Sequence, residues 1–236
     1  MSVARVLEGI IEKSSSTILT RVERVPPREA VYADWPEELD SRLRDSLIRR
    51  GRPHPYTHQA ETIRHALDGR HVVVVTPTAS GKTLCYNVPV LQAILEDPGA
   101  TALYLFPTKA LAQDQLAELQ QSIDDLGTAV GTFTYDGDTP ADARKAVRSR
   151  AHVVITNPDM LHTGILPHHT RWARFFANLR YVVLDELHTC RGVFGSHLAN
   201  VLRRLRRICG FHGSQPVFIA SSATIANPQE LASRLV

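Results

Sequence analysis

The residues able to do chemistry in this chain sit where apolar runs end. Thr76-Pro77-Thr78-Ala79-Ser80-Gly81-Lys82-Thr83 follows Val72–Val75 and leads into a helical stretch. Small residues there let successive backbone N–H groups and a helix N-terminus converge on phosphate oxygens. Thr78, Ala79, Ser80 and Gly81 form that cradle, Lys82 neutralises the outer phosphates and the Thr83 hydroxyl ligates Mg²⁺. Thr76 stands where the common G-x-x-x-x-G-K-[ST] pattern has its first glycine. Further on, Tyr181–Leu184 runs into Asp185-Glu186-Leu187-His188. Two adjacent carboxylates at a strand end suit hydrolysis of Mg·ATP, one beside the metal and one polarising the attacking water. Asp185 takes the metal-side role and Glu186 the water-activating one. Ser222-Ala223-Thr224 follows a third apolar run, and its value is its order after the other two. Upstream, Tyr56-Thr57-His58-Gln59 carries an amide whose donor and acceptor match an adenine edge.

These residues need strands that end at one edge, and the hydropathy pattern supplies them. Valine-rich His71–Pro77 reads as a strand buried on both faces. Thr101–Phe106, Ala129–Thr134, His152–Thr156, Arg180–Asp185 and Pro216–Ser221 read as five more. Helices are expected over Gly81–Leu95, Lys109–Ser122 and Pro140–Arg150, near Asp159, over Gly195–Ile208 and from Pro228. Strands alternating with helices imply an α/β fold, a mainly parallel sheet covered on both faces, whose ligands bind at the carboxyl ends of the strands. Residues 1–50 differ. Val3, Val6, Leu7, Ile10 and Ile11 recur at helical spacing, Ser14–Ser16 and Pro26-Pro27 interrupt, and Leu39, Leu43, Leu47 and Ile48 suggest a second short helix. This reads as an accessory segment on a domain over 51–236.

With 236 residues, 43% of them hydrophobic and 22% charged, the chain is that of an ordinary globular protein that needs no disulfide or metal to hold a core. Its net charge of +3 permits an acidic partner without demanding one. Cys85, Cys190 and Cys209 form no C-x-x-C pair, which argues against a structural zinc site and for buried thiols in a reducing compartment. No apolar run approaches the ~20 residues of a membrane span, and Glu8 and Glu12 interrupt what a signal peptide would need. A soluble, cytoplasmic, unanchored protein is expected.

The four elements in this order resemble superfamily-two helicases of the DExH type, over about residues 51 to 236. The Gly81-Lys82-Thr83 loop resembles motif I, Asp185–His188 motif II, Ser222–Thr224 motif III and Gln59 the Q motif. Pro107-Thr108-Lys109-Ala110-Leu111-Ala112 resembles motif Ia and Thr156-Asn157-Pro158-Asp159 motif Ib, while Tyr135-Asp136-Gly137-Asp138 occupies the place of a glycine-containing turn near the nucleic acid. Thr189–His197, the run Asn200–Arg207 and Ile165–His169 are similar to the MrfA-type bacterial DNA-repair helicases and their RecQ-four-like relatives. The resemblance implies a RecA-like fold and an ATP-driven 3′-to-5′ DNA helicase using Mg²⁺, acting in DNA repair at the bacterial nucleoid. It implies that His188 couples nucleotide state to Ser222 and Thr224. It also implies that Thr108, Lys109, Gly137, Thr156 and Asn157 meet the sugar–phosphate backbone of single-stranded DNA. Such proteins have a second RecA-like domain and a C-terminal zinc module, so the chain reads as the first RecA-like domain of a longer enzyme, expected not to unwind DNA alone.

Two rival readings stay open: an RNA-dependent ATPase of the same superfamily, and a nucleotide- and DNA-binding module without autonomous activity. Arg203, Arg204, Arg206 and Arg207 form the densest basic cluster, in a stretch from Thr189 to Gln229 without Asp or Glu. They are expected to face away from the single-strand track, covered by Glu37, Glu38 and Asp40 or by another domain. Trp35 and Trp172 are expected as core or interface anchors rather than base-stacking platforms, and His168-His169 is not expected to bind metal.

Overall fold

The computed structural model describes residues 3–13, 23 and 29–236. The breaks expected at Ser14–Ser16 and Pro26-Pro27 lie outside the described residues. The chain divides into two compact units, Met1–Val31 and Tyr32–Val236. The first contains helix α1, Val3–Lys13, with Val6, Ile10 and Ile11 exposed.

The second unit is built on six strands: β1 (Val72–Val75), β2 (Thr101–Leu105), β3 (Thr132–Thr134), β4 (Val153–Thr156), β5 (Leu179–Leu184) and β6 (Val217–Ser222). Every pairing is parallel, in the order β1-β6-β5-β2-β4-β3. Parallel strands need crossovers, and helices supply them on both faces. One face carries α2 (Ser41–Arg49), α3 (Thr57–Leu67), α4 (Lys82–Glu96) and α5 (Lys109–Leu126) over Ala102, Tyr104, Val153, Ile155, Val183 and Ile219. The other carries α6 (Ala141–Arg150), the irregular stretch from α7 (Pro158–Met160) through α8 (Ala173–Ala177), α9 (Gly192–Phe211) and α10 (Pro228–Leu235), packed on Leu103, Leu105, Val154, Val182, Leu184 and Phe218. Alternate residues of each strand feed opposite cores, as the pleat requires.

The fold differs from expectation in detail. The strands are shorter than their apolar runs, because the last residues of each run turn away to build loops. Helix α3 buries Gln59, Thr62 and Ala66 beside Ile63, a stripe too polar to stand out. The stretch 158–177 passes from α to π to 3-10 to α geometry, with Leu161, Ile165, Leu166, Trp172, Phe175 and Phe176 all buried. The acids expected to cover the arginines of α9 are elsewhere: Asp40 caps α2 and pairs with Arg42 at 2.7 Å, on the opposite face of the sheet. The arginines themselves diverge. Arg204 reaches the His162 carbonyl, whereas Arg206 lies close enough to His71, just before β1, to help burial lower that imidazole's pKa. Trp35 and Trp172 are both buried.

No helix among the described residues is long and apolar enough to cross a membrane. The three cysteines are free and buried. Burial pushes the Cys85 thiol up to about 12 and Cys209 up to about 11. A maleimide at about pH 8 should therefore leave both unmodified in the native protein and label them once urea unfolds it. Between pH 9 and about 12 the unfolded Cys85 thiol loses its proton while the folded one keeps it. Unfolding then releases protons, and stability should fall as pH rises through that window, seen as a falling urea midpoint.

Candidate nucleotide site and nucleic-acid edge

Strand β1 ends at Val75, and Thr76 still pairs with the Ser222 carbonyl. The chain then wraps through a tight loop in which Ala79 and Gly81 hold left-handed conformations, φ 62° and 74°. Lys82 opens α4 behind Gly81. The Lys82 ammonium donates to the Thr76 and Pro77 carbonyls at 3.0 and 2.9 Å. The Thr76 and Ser80 hydroxyls bond to each other across the loop. Thr76 thus takes a structural part where the common pattern has glycine.

Helix α3 clasps this loop. The buried Gln59 amide donates to the Gly81 carbonyl at 2.9 Å, and its oxygen accepts from the Tyr56 N–H at 2.9 Å. His58 Nε2 lies 3.2 Å from the Ser80 carbonyl. A carbonyl only accepts, so Nε2 carries the proton. Burial lowers the His58 pKa, the bond to Ser80 opposes that shift, and the Lys82 charge adds to it. A Cβ on Gly81 would lie 2.5 Å from Gln59 Nε2, on top of the left-handed strain. Gly81→Ala should therefore cost about 1–2 kcal/mol of loop geometry and weaken nucleotide binding about tenfold, as read by titration with a fluorescent ATP analogue.

Strand β5 delivers the carboxylates. Asp185 still pairs its N–H with Leu105, while Glu186 turns into a left-handed conformation at φ 55°. That reversal lets two consecutive carboxylates leave the strand on the same side, a strain typical of functional positions. Asp185 Oδ1 accepts from the Glu186 N–H at 3.0 Å and from the Ser221 hydroxyl. Oδ2 takes no hydrogen bond among the described residues. The hydroxyl that meets Asp185 is therefore Ser221. Ser222 points to the other face, where its hydroxyl is buried and has no partner among the described residues. His188 Nδ1 lies 3.1 Å from Glu186 Oε2 and 3.4 Å from the Ala223 N–H, so it touches the motif at Ser222–Thr224 through backbone, and Thr224 is exposed.

Gln59, Thr78, Ala79, Ser80, Gly81, Lys82, Thr83, Asp185 and Glu186 all line one cleft of about 780 Å³. Tyr86 closes its floor. Burial, and next the negative charge of Asp185, raise the Tyr86 pKa, and the protonated phenol donates to Gln115 at 2.8 Å. A cradle of left-handed loop residues, a cation and hard oxygen donors fits a nucleoside triphosphate and Mg²⁺.

The residues expected to meet nucleic acid gather at the ends of β2 and β4. Thr108, Lys109, Thr156 and Asn157 line one small cavity, with Gly137 exposed on the neighbouring turn. Their side chains have local partners. Thr108 caps α5 and Asn157 caps α7. Thr156 is buried and donates to the Tyr135 carbonyl at 2.6 Å, tying β4 to that turn. Lys109 pairs with Asp138, which raises its pKa. Arg144 holds the turn through the Thr139, Asp136 and Gly137 carbonyls. Among the described residues, no group of three His, Cys, Asp or Glu side chains could hold a metal, and His169 instead meets His212 at 3.0 Å.

Helicases of known sequence and structure are similar to this chain. The model of the DEAD/DEAH box helicase family matches residues 56–231. The ATP-dependent helicase YprA of Bacillus subtilis, described as uncharacterized, is 59% identical over 211 residues, covering 89% of this chain and 28% of that protein. The ATP-dependent helicase hrq1 of Schizosaccharomyces pombe is 42% identical over 96% of this chain and 22% of its own length. The crystal structure of the DUF1998 helicase MrfA bound to DNA and AMPPNP superposes with a TM-score of 0.92 at 54% identity, over all of this chain and 33% of that one. The Mycobacterium smegmatis helicase Lhr, bound to single-stranded DNA and AMP-PNP, superposes with a TM-score of 0.74 at 26% identity, over 85% of this chain and 27% of its own. The chain spans about a fifth to a third of these relatives, and its sheet is their RecA-like fold. Matched by the family model over 56–231 and by a 59% identical bacterial relative across 89% of its length, the chain belongs to the DEAD/DEAH box helicases.

Proposed function

We propose that residues 51–236 are the first RecA-like domain of an ATP-dependent 3′-to-5′ DNA helicase acting in DNA repair, with residues 1–50 as an accessory segment. The observation that carries this reading is the single cleft shared by Lys82, Thr83, Asp185 and Glu186. Lys82 leaves the Thr76 and Pro77 carbonyls to bind the outer phosphates of ATP. Glu186 takes the proton of the attacking water, and His188 carries the consequence to Ala223 and onward to Thr224. Thr83 and Asp185 would hold Mg²⁺, which supplies charge neutralisation at the phosphates. The Asp185 oxygen not engaged by Ser221 suits that role.

The nucleic-acid track runs over the ends of β2 and β4, where Lys109 exchanges Asp138 for a phosphate and the exposed turn at Gly137 lets backbone approach. DNA is favoured over RNA because the solved MrfA relative, at 54% identity, is bound to DNA. The test is the ATPase of the full-length protein with single-stranded DNA or RNA of equal length. Stimulation by DNA of about tenfold or more over RNA supports the reading, and equal or stronger stimulation by RNA replaces it with an RNA-dependent ATPase.

A further inference from the structure

We propose that the groove between α9 and α10 is a second site for nucleic-acid backbone, holding phosphates of a strand that extends beyond the Thr108–Asn157 cluster. This rests on the reading of the chain as a DNA motor domain.

The groove encloses about 660 Å³, and Arg191, Arg203 and Arg234 line it with Asn200, Asn227 and Ser196 among them. It shares no residue with the cavity around Lys109 and Asn157. The chain offers no carboxylate from Thr189 to Gln229. Among the described residues, the Arg191 side chain has no hydrogen bond or ion pair. Arg203 spends one N–H on Asn200 at 2.9 Å, leaving most of its five donors. Arg234 pairs with Glu230, which lies outside the lining. Glu230 thus neutralises Arg234 at one side of the groove, whereas Arg191 and Arg203 have no carboxylate among the described residues, and a phosphate accepting their paired N–H donors relieves the repulsion between them.

The start of α9 adds donors for an anion, and its exposed apolar residues favour nucleic acid over an acidic peptide. Arg191 gives α9 no side-chain cap, so the first N–H groups of a 20-residue helix remain for an anion beside the arginines. The same turn carries Val193 and Phe194, 89% and 37% exposed. Exposed apolar side chains two and three residues after Arg191 suit the face of an unpaired base whose phosphates the arginines hold. Gly192 has open space in place of a side chain, which leaves the backbone approachable.

The experiment uses the full-length protein and fluorescent oligothymidylates of about 8 and about 30 nucleotides, over a salt series. R191Q/R203Q should bind the short strand as wild type does. It should bind the long one about tenfold more weakly at low salt, with the slope of log affinity against log salt shallower by about 1 to 1.5, since each lost single-strand contact removes about 0.7. R191K/R203K should keep the wild-type slope, because the charges remain. Unchanged melting and DNA-independent ATPase exclude a folding defect as the cause. An unchanged long-strand slope in R191Q/R203Q overturns the proposal, as does equal weakening of both strands. Competition by polyglutamate, with the DNA slope unchanged, would assign the groove to an acidic protein instead and also overturns it. If wild-type protein binds neither strand in a salt-dependent way, the motor reading itself fails, and that result is distinguishable from failure of the groove alone.

Discussion

Glu186→Gln in the full-length protein is expected to bind ATP about as tightly as wild type and to hydrolyse it about 10²- to 10⁴-fold more slowly, the range lost with a general base. The glutamine amide has the carboxylate's size, and it keeps a contact to His188, 3.1 Å from Glu186 Oε2. The left-handed backbone at 186 is untouched. What disappears is the capacity to accept a proton from water. Lys82→Ala fails differently. It removes the cation proposed to bind the outer phosphates and also the two bonds to Thr76 and Pro77 that shape the loop, so nucleotide affinity and turnover are expected to fall together. Equilibrium binding of a fluorescent ATP analogue alongside single-turnover hydrolysis separates the two. Near-normal turnover in Glu186→Gln would remove Glu186 from the water-activating role.

The second large effect concerns stability. Trp172 is 1% exposed and meets Tyr135 and Phe175 edge to face, at 5.0 and 5.7 Å between ring centroids. It closes the irregular stretch after α7, which has no long helix of its own to hold it. Trp172→Ala should cost about 3–5 kcal/mol, measured as a lowered urea midpoint with an unchanged slope. Tyr135 begins the turn that carries Gly137 and Asp138, and Arg144 stacks over its ring at 5.2 Å. The same substitution should therefore loosen the turn facing Lys109 and weaken binding of short single-stranded DNA. A loss below about 1 kcal/mol would mean the pocket collapses around the missing ring.

Strand ends were legible because a strand buried on both faces must be an unbroken apolar run, and Val72–Val75, Thr101–Leu105 and Leu179–Leu184 are such runs. The loop whose Thr78–Thr83 share one cleft with Asp185 and Glu186 was legible because small residues, lysine and a hydroxyl in that order stand out at a strand end. Helix α3 was not, since Gln59 is buried by a hydrogen bond that only tertiary contact with Gly81 provides, and Thr62 hides its hydroxyl on the His58 carbonyl one turn back in the same helix. Nor was the choice of Ser221 over Ser222 beside Asp185. Two adjacent serines look alike in a sequence, and only the pleat of β6 decides which one faces the carboxylate. The irregular geometry over 161–172 has neither period that pattern reading detects.

The pairing of β1 with β6 has a consequence for how the protein comes into being. Val72 aligns with Ile219, and Val75 with Ser222, so the strand that carries the phosphate loop gains its neighbour only when the end of the domain is available. Such a long-range closure is slow relative to local helix formation. During synthesis, β2, β4 and β5 with their helices can assemble on the ribosome while Thr76–Lys82 still lacks its seat. ATP affinity then arrives in one late step, when Ser222 clears the exit tunnel and β6 slots between β1 and β5. A nascent chain released before that point would carry the phosphate loop and bind no nucleotide.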